Sequence, residues 1–265
     1  MTAAGTGVLL KLGGELVESA TGRRDIARAM HRLRESGPLV VVHGGGREVD
    51  AEMAAKGIPK RAVDGLRLTD RDTLEVVVGV LAGRVNTRLV AAARVEGIRA
   101  VGLTAADAGV SSMRRADPYT AADGSEVDLG FVGQPMGIEP PVLLTRLCDA
   151  GFVPVIASIG CDTDGQLLNV NADTLAGHLA VRLCVARLII AGGTPGVLDE
   201  HGDTIAAVTE GLLEELIADG RASAGMVAKL IACREARRGG VASVRIVGGK
   251  GATDLDGSPG TTIGS

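Results

Sequence analysis

The sequence is nearly without aromatic side chains and carries no excess of positive charge. Its 265 residues contain no tryptophan, and the only aromatic rings belong to Tyr119, Phe131 and Phe152. Proteins that hold single strands stack bases on such rings, so this class of partner is disfavoured. The formal net charge of -4 also lacks the basic footprint that nucleic acid requires. We therefore expect no nucleic-acid partner.

Clustered cysteines and long apolar runs are missing as well. The four cysteines, at positions 148, 161, 184 and 233, show neither paired metal-binding spacing nor the density of a disulfide scaffold. No apolar run approaches the roughly 18 to 20 residues of a membrane span, and residues 1–7 do not resemble a secretory signal. Residues 75–85 are interrupted at Arg84 and predict a buried or dimer-facing helix. We expect a cytoplasmic protein with no membrane partner.

Aliphatic residues and glycine are abundant instead. The hydrophobic fraction is 46%, most of it aliphatic, and there are 39 glycines, which suits one large α/β unit or two fused lobes. Apolar, strand-like runs alternate with helical patterns. The predicted strands are 8–10, 39–42, 99–103, 153–156, 188–190 and 243–247, and the predicted helices are 25–35, 47–56, 70–96, 141–150, 172–185 and 225–238. This alternation predicts a mainly parallel sheet covered on both faces.

Two stretches depart from the alternation, and the chain ends on a further short run. Residues 60–68 predict a turn or hairpin, and residues 111–134 predict an excursion with short strands around the turn signal Asp123-Gly124. Residues 261–263 predict a short edge strand.

Three glycine-rich segments follow or adjoin predicted strands. They are Lys11-Leu12-Gly13-Gly14, His43-Gly44-Gly45-Gly46 and Gly192-Gly193-Thr194-Pro195-Gly196. Ligands of parallel sheets bind at the carboxyl ends of the strands, where glycine lets backbone N–H groups approach phosphate oxygens. We therefore predict a phosphate-handling site, and a kinase.

Two more segments add charge to that site. Lys11 and Lys229 would supply fixed positive charge, and Asp173, in Asn169-Val170-Asn171-Ala172-Asp173, would orient both lysines. Each has a structural alternative. Lys11 could be a surface lysine at a strand end, Lys229 a solvated helix residue, and Asp173 a residue that caps or begins the next helix. His43 is predicted to hydrogen-bond loop backbone.

The ordered set of segments resembles the N-acetylglutamate kinases of the amino acid kinase family over nearly the whole chain. Besides the segments above, the resemblance rests on Asp64-Gly65-Leu66-Arg67, Asn86, Val101-Gly102-Leu103-Thr104 and Gly225-Met226. It implies an α/β fold, a three-layer αβα sandwich with a central, mainly parallel sheet. It also implies an N-terminal lobe, residues 1–160, for acyl amino acid binding and dimerisation, and a C-terminal lobe, residues 161–265, for ATP.

The resemblance implies phosphorylation of the side-chain carboxylate of N-acetyl-L-glutamate by ATP in arginine biosynthesis. Mg²⁺ would arrive on the nucleotide phosphates, with no protein metal site. The implied catalytic residues are Lys11, Lys229 and Asp173. The implied substrate-binding residues are Gly44, Gly45, Arg67, Asn169 and Asn171. The implied nucleotide-binding residues are Gly13, Gly14, Gly192, Gly193, Thr194, Gly196, Gly225 and Met226.

Arg67 suits a substrate carboxylate because its planar fork can bond both oxygens, although it could instead form a solvated pair with Asp64 or Asp70. Two positions depart from the family pattern. Gly193 stands where an aspartate is usual, and Ala105-Ala106-Asp107-Ala108 replaces the usual Gly-Lys-Asp-Gly. Gly193 therefore predicts weaker or less base-selective nucleotide binding than is typical of the family.

Two other functions remain open at this stage. One is a kinase for a related acylated or carrier-protein-bound amino acid, aminoadipate or glutamate, which would need a larger and more basic entrance. The other is a non-catalytic metabolite-binding regulator with the same fold. Because only ten residues precede Lys11, we expect an arginine-insensitive homodimer.

Overall fold

The computed structural model describes residues 7–121, 123–218 and 224–264. The strands of this part of the chain are β1 Val8–Leu12, β2 Leu39–His43, β3 Ala62–Val63, β4 Leu66–Arg67, β5 Ala100–Thr104, β6 Ser112–Arg115, β7 Tyr119–Thr120, β8 Glu126–Val127, β9 Val132–Met136, β10 Val153–Ala157, β11 Ile159–Cys161, β12 Leu167–Val170, β13 Arg187–Gly192, β14 Ala207–Val208, β15 Ser243–Gly248 and β16 Gly260–Ile263. The α-helices are α1 Ala20–Glu35, α2 Gly46–Ala55, α3 Arg71–Val78, α4 Asn86–Val95, α5 Val142–Asp149, α6 Ala172–Arg182, α7 Glu210–Ala218 and α8 Ala224–Arg238.

The central sheet has eight strands in the order β14-β16-β15-β13-β1-β2-β10-β5. All neighbours run parallel except β15 and β16. The middle strands β1, β2 and β10 are buried along their whole length, as expected for aliphatic strands covered on both faces. Lys11 of β1 lies in register with Val42 of β2 and Ile190 of β13, so the three glycine-rich segments that follow meet at one edge.

Helices cover both faces of this sheet. Alternate side chains of β1 enter different cores: Leu10 joins α1, α3 and α4 in one, and Leu9 joins α5, α6, α7 and α8 in the other. Strand side chains alternate between faces, so two separate cores are the expected result. The predicted three-layer αβα sandwich with a mainly parallel sheet is confirmed.

Smaller sheets extend from the carboxyl edge. Strands β6, β9, β12 and β11 form a small sheet that closes on itself, and β3–β4 and β7–β8 are hairpins. The hairpin predicted at residues 60–68 is confirmed, and its turn residues Asp64 and Gly65 both have positive φ, 45° and 77°. This is the geometry of the two-residue turns that suit hairpins.

The predicted helix 70–96 is not uniform. Its middle, Gly79–Val85, is π-helical, between α3 and α4. The run Arg71–Val95 is long enough to span a membrane, and an 18-residue window within it has a mean hydropathy of 1.4. However, Val77, Leu81 and Leu89 pack in the core below the sheet. We therefore interpret the run as a core helix.

Other details differ from the sequence prediction. The strand predicted at residues 261–263 exists, but it is not at the edge, because β14 pairs with its outer side. Strand β14 has two residues, too few for a periodic signal. Helix α1 begins at Ala20 instead of position 25, since the Ser19 side chain accepts a hydrogen bond from the Gly22 N–H and caps it.

Candidate active site

Two of the glycine-rich segments touch backbone to backbone at the carboxyl edge of the sheet. A Cβ added to Gly14, after β1, would lie 2.6 Å from the Cα of Gly45, after β2. A Cβ added to Gly45 would in turn lie 2.7 Å from the Leu81 side chain. Real Cβ atoms do not come this close to backbone, so position 14 requires glycine, whereas a Cβ at position 45 would require the Leu81 side chain to move. The result is a narrow cleft with accessible backbone, as the sequence predicts.

His43 is buried beneath the second glycine segment. Its Nδ1 lies 3.1 Å from the carbonyl oxygen of Gly44, and its Nε2 lies 3.1 Å from Nδ2 of Asn86. Asn86 also donates to the carbonyl oxygen of Val155 at 2.9 Å. Burial lowers the pKa of His43 to about 4, so the ring is neutral at physiological pH, with the proton on Nδ1. The prediction that His43 hydrogen-bonds loop backbone is confirmed.

The lysines and the aspartate converge as predicted. Lys11 Nζ lies 2.9 Å from Oδ1 of Asp173, and Lys229 Nζ lies 3.5 Å from Oδ2. The Lys11 contact is an ion pair without the alignment of a hydrogen bond. The side chains of Lys11, Asp173 and Lys229 are only 6%, 8% and 18% exposed, so solvent screens their charges weakly. One aspartate therefore separates two ammonium groups.

Asn171 is the residue that caps helix α6. Its Oδ1 accepts hydrogen bonds from the backbone N–H groups of Asp173 and Thr174, at 2.8 and 3.1 Å. The alternative in which Asp173 caps this helix is therefore wrong. Asp173 instead lies in the first turn, where a negative charge is favoured by the helix dipole. Its carboxylate remains available to the lysines.

Arg67 lies on the opposite side of the cleft and pairs with Asp50. It also contacts the sulfur of Met53, at 3.1 Å. The predicted alternative partners are engaged elsewhere: Asp70 pairs with Arg61, and Asp64 hydrogen-bonds with Tyr119. With its side chain 15% exposed, Arg67 is not a freely solvated residue.

Asp50 is therefore the anion that Arg67 holds in this state. Burial opposes ionisation of Asp50, but hydrogen bonds from Lys60 and Arg67 outweigh it and lower its pKa. Asn169, on β12, donates from Nδ2 to the Thr69 hydroxyl at 3.1 Å. These contacts join the β3–β4 hairpin and the small sheet to the cleft.

The third glycine segment is bridged to the first by a side chain. Oε1 of Glu15 accepts a hydrogen bond from the backbone N–H of Gly193, at 2.7 Å. Gly193 has no positive φ, so an L-residue would fit its backbone. Its departure from the family aspartate is therefore not required by loop conformation.

Two neighbouring cavities divide the site. The cavity at the lysines has a volume of about 240 Å³, and its walls include Lys11, Glu15, Gly44, Arg67, Ser158, Asn169, Asn171, Asp173 and Lys229. A second cavity of about 550 Å³ lies beyond β13, and its walls include Thr194, Gly196, Val197, Leu198, Asp199, Leu212, Leu216 and Met226. Gly225 accepts a hydrogen bond from Lys229 Nζ through its carbonyl oxygen, at 3.1 Å. The predicted catalytic and substrate-binding residues thus share one cavity, and part of the nucleotide set lines the next.

Sequence reasoning missed two residues of the first cavity and the partner of Arg67 beside it. Glu15 and Ser158 line it, and Asp50 holds Arg67. For Glu15 a signal was present, because an acidic residue directly after a predicted phosphate-binding glycine pair is electrostatically unexpected. Asp50 and Ser158 lie in ordinary helix and strand contexts and carry no such signal.

This arrangement suits the joining of two anions. Two lysines and backbone N–H groups surround one end of the cavity, and an arginine stands at the other. Positive groups fixed before the reactants bind stabilise charge that develops on transfer, without reorganisation cost. A phosphoryl group at the lysines and a carboxylate at Arg67 would complement these charges.

Known proteins are similar to this chain in sequence and in fold. The model of the amino acid kinase family matches residues 7–248. A protein named acetylglutamate kinase from Methanopyrus kandleri is 42% identical over 235 residues, covering 88% of this chain and 91% of the relative. One of the same name from Chromobacterium violaceum is 37% identical over 249 residues, covering 93% and 85%.

Solved structures agree. The structure of smu.665 from Streptococcus mutans superposes with a TM-score of 0.82 at 26% identity, covering 97% of this chain and 98% of that one. A complex of N-acetylglutamate synthase from Neisseria gonorrhoeae, 23% identical, shows the same fold with a TM-score of 0.80 and covers 98% of this chain and 59% of that one. With the match extending from β1 to the end of β15, through every glycine segment and both lysines, the chain belongs to the amino acid kinase family.

Proposed function

We propose that this protein is an acetylglutamate kinase. It transfers the γ-phosphoryl group of ATP to the side-chain carboxylate of N-acetyl-L-glutamate, giving N-acetyl-L-glutamyl 5-phosphate and ADP, in arginine biosynthesis. The observation that carries the proposal is the pairing of Lys11 and Lys229 with one buried carboxylate, Asp173, in a cavity that also contains Arg67. The relatives named acetylglutamate kinase supply the substrate class.

Charge neutralisation does most of the work in this reaction. The attacking carboxylate is already ionised at neutral pH, so no general base is needed. The buried, neutral His43 accordingly has no proton to remove. Lys11 and Lys229 reduce the repulsion between carboxylate and phosphoryl oxygens, and Asp173 holds the two ammonium groups in place.

Recognition of the acyl amino acid falls to Arg67, Asn169, Asn171 and the Gly44-Gly45 backbone. Arg67 binds the α-carboxylate with its two-pronged donor set, and in doing so exchanges Asp50 for substrate. Because Oδ1 of Asn171 is occupied by the helix cap, its Nδ2 is the group left to donate to the acyl carbonyl.

The nucleotide takes the second cavity, with its phosphates on the glycines after β1 and β13. The residues proposed for this task are Gly13, Gly14, Gly192, Gly193, Thr194, Gly196, Gly225 and Met226. Among the described residues no group of three or more His, Cys, Asp or Glu side chains could hold a metal ion. In nucleotide sites Mg²⁺ takes most of its ligands from phosphates and water, and when bound here it would supply further charge neutralisation.

A carrier-protein substrate is disfavoured by the charge around the entrance. Three cations on the Arg67 side of the site have carboxylate partners: Lys60 lies 2.7 Å from Asp50, Arg47 lies 3.8 Å from Glu18, and Arg61 contacts Asp70. A basic docking surface would need free positive charge to attract a partner. We infer a small free substrate.

A coupled assay of ADP release distinguishes the candidate functions. Activity with N-acetyl-L-glutamate and ATP, and little with N-acetyl-L-aspartate or N-acetyl-L-aminoadipate, is the expected result. Turnover only with a carrier-bound amino acid would show that the substrate is a carrier-bound amino acid and not free N-acetyl-L-glutamate. Tight binding of acyl amino acids in calorimetry with no ADP release from any of them would identify a regulator.

We further propose a cytoplasmic homodimer, with residues 1–160 as the acyl amino acid lobe and 161–265 as the ATP lobe. We place the dimer interface at the outward face of Gly79–Val85. Gly79 and Gly83 are exposed there, and a Cβ on either would meet nothing within 4 Å. A second copy could approach closely there. Light scattering should give twice the chain mass, and Gly83→Arg should shift it to one chain mass.

A further inference from the structure

Glu15 places a carboxylate over the glycines proposed to bind nucleotide phosphates. It is the middle residue of the 3-10 turn Gly14–Leu16, directly after β1. Besides accepting the Gly193 N–H, its Oε1 lies 3.3 Å from where a Cβ of Gly193 would stand and 3.6 Å from that of Gly192. The anion thus lies in the gap between the loops after β1 and β13, where a phosphate is expected.

The lysines of the site do not neutralise this carboxylate. Lys11 and Lys229 are both held by Asp173, and Lys229 also donates to the Gly225 carbonyl. Within the described ranges, Glu15 forms no ion pair, and no hydrogen bond reaches its Oε2. A nucleotide without a metal ion would therefore bring phosphate charge against a carboxylate that forms no ion pair among the described residues.

A divalent cation would turn this repulsion into attraction. Mg²⁺ binds in nucleotide sites through one or two carboxylates together with phosphate oxygens and water. Asp173 is poorly suited to that role, since both its oxygens face lysine ammonium groups. Glu15 is the carboxylate of this cavity with an unoccupied oxygen.

We propose that Glu15 couples nucleotide binding to the divalent cation, by contributing its carboxylate to the ligands of the cation carried on the phosphates. The inference rests on the proposed kinase function and adds a residue to it. It also accounts for Gly193: Glu15 supplies, from the loop after β1, a carboxylate beside the position where the family pattern has an aspartate on the loop after β13. Glu15 is thus a cation-positioning residue.

The test compares ADP affinity with and without Mg²⁺ by titration calorimetry. In the native protein we expect Mg²⁺ to lower the Kd of ADP by about 10²-fold. In Glu15→Gln the factor by which Mg²⁺ lowers this Kd, the Mg²⁺ gain, should be about tenfold smaller. Metal-free ADP should bind more tightly because the negative charge is removed, and Mg-ADP should bind more weakly because the cation loses a carboxylate ligand. Glu15→Asp, which keeps the carboxylate, should retain part of the gain.

Glu18→Gln is the matched control. It removes the same charge three residues along, from a side chain that pairs with Arg47, and should leave the Mg²⁺ gain unchanged. An equal Mg²⁺ gain in Glu15→Gln and the native protein would overturn the role of Glu15 alone. Failure of the native protein to bind ADP under either condition would overturn the proposed function, and this inference with it.

Discussion

The two proposed halves of the site, for the acyl amino acid and for the nucleotide, differ in the groups that they present. On the acyl amino acid side, charged and polar side chains meet internal partners, Arg67 with Asp50 and Asn169 with Thr69. On the proposed nucleotide side, backbone N–H groups and a cavity with several apolar walls predominate. Carboxylates stand there at Glu15, beside Gly193, and at Asp199 and Glu200 in the cavity wall. Under the proposed function, binding of the amino acid would require Arg67 to exchange Asp50 for substrate, whereas the nucleotide would meet a preformed surface. Substitutions on the two sides should therefore separate cleanly in their effects.

The largest effect is expected where both halves meet, at the lysines. Lys11→Ala and Lys229→Ala should each lower kcat by about 10²-fold or more, by analogy with removing one donor to developing negative charge. The effect should be larger for Lys11, which is closer to Asp173 and more buried. Steady-state kinetics at saturating substrates measures it.

Lys56→Ala provides the control, since Lys56 is exposed and pairs with Glu52 outside the site. All three variants should melt close to the native temperature. Near-native kcat in Lys11→Ala or Lys229→Ala would refute the catalytic role of that lysine.

A second effect concerns His43, which supports the loop shared by both halves. Its pKa is about 4 in the folded protein and 6.5 ordinarily, so between these values the unfolded chain binds a proton that the folded chain does not. The contribution of neutral His43 to the free energy of unfolding is therefore fully present above pH 6.5. It decreases by roughly 3 kcal/mol as the pH falls towards 4. His178, whose pKa burial also lowers to about 4, adds a similar dependence.

Urea unfolding at pH 7 and pH 4.5 measures this loss. His43→Gln, referred to its own stability at pH 7, should lose about half as much as the native protein. The exposed His201 provides the comparison, and His201→Gln should follow the native curve. An unchanged loss in His43→Gln would show that His43 is not the titrating group.

A third effect is confined to the acyl amino acid side. Arg67→Lys keeps the charge but loses the two-pronged contact, so N-acetyl-L-glutamate should bind about tenfold more weakly, with ADP affinity nearly unchanged. Arg61→Lys makes the same substitution in an exposed pair with Asp70 and should change neither affinity. Equal weakening of both ligands by Arg67→Lys, measured by calorimetry, would place Arg67 outside the substrate subsite.

The smallest effect moves a carboxylate between two loops of the nucleotide side. The Cβ of an aspartate at position 193 would lie 3.3 Å from Oε1 of Glu15, which places the two carboxylates close together, so Gly193→Asp alone should weaken ADP binding a few-fold through like-charge repulsion. The double variant Glu15→Gln with Gly193→Asp should recover the lost affinity and the Mg²⁺ gain. Additive losses in the double variant would mean that the two positions do not share one role.

Much of the fold was predictable because each signal was local. Buried aliphatic runs predicted β1, β2, β10, β13 and β15, and the hairpin at Asp64-Gly65 followed from its turn residues. The two-residue strand β14 and the π-helical turn Gly79–Val85 were missed, because no periodic pattern marks them. Their existence depends on pairing and packing with distant parts of the chain.

The same division applies to the site. Glycine at the strand ends, the lysines and Asp173 could be identified from residue types and their order along the chain. The contacts of Asp50 with Arg67 and of Glu15 with Gly193 could not be identified in this way. The first pair is seventeen positions apart, and the second is 178 apart. Nothing in the local chemistry of either residue selects the other.

The sequence by itself therefore determined the αβα architecture, the edge of the sheet that carries the candidate site and the residues proposed to handle phosphate. Hydrophobic periodicity and glycine placement act over a few residues, so they can be recognised in one dimension. Only the tertiary structure decided that Asp50 holds Arg67 and that Glu15 accepts a hydrogen bond from Gly193. These contacts join residues that are distant along the chain. Such residues become neighbours only when β1, β2 and β13 pair in parallel.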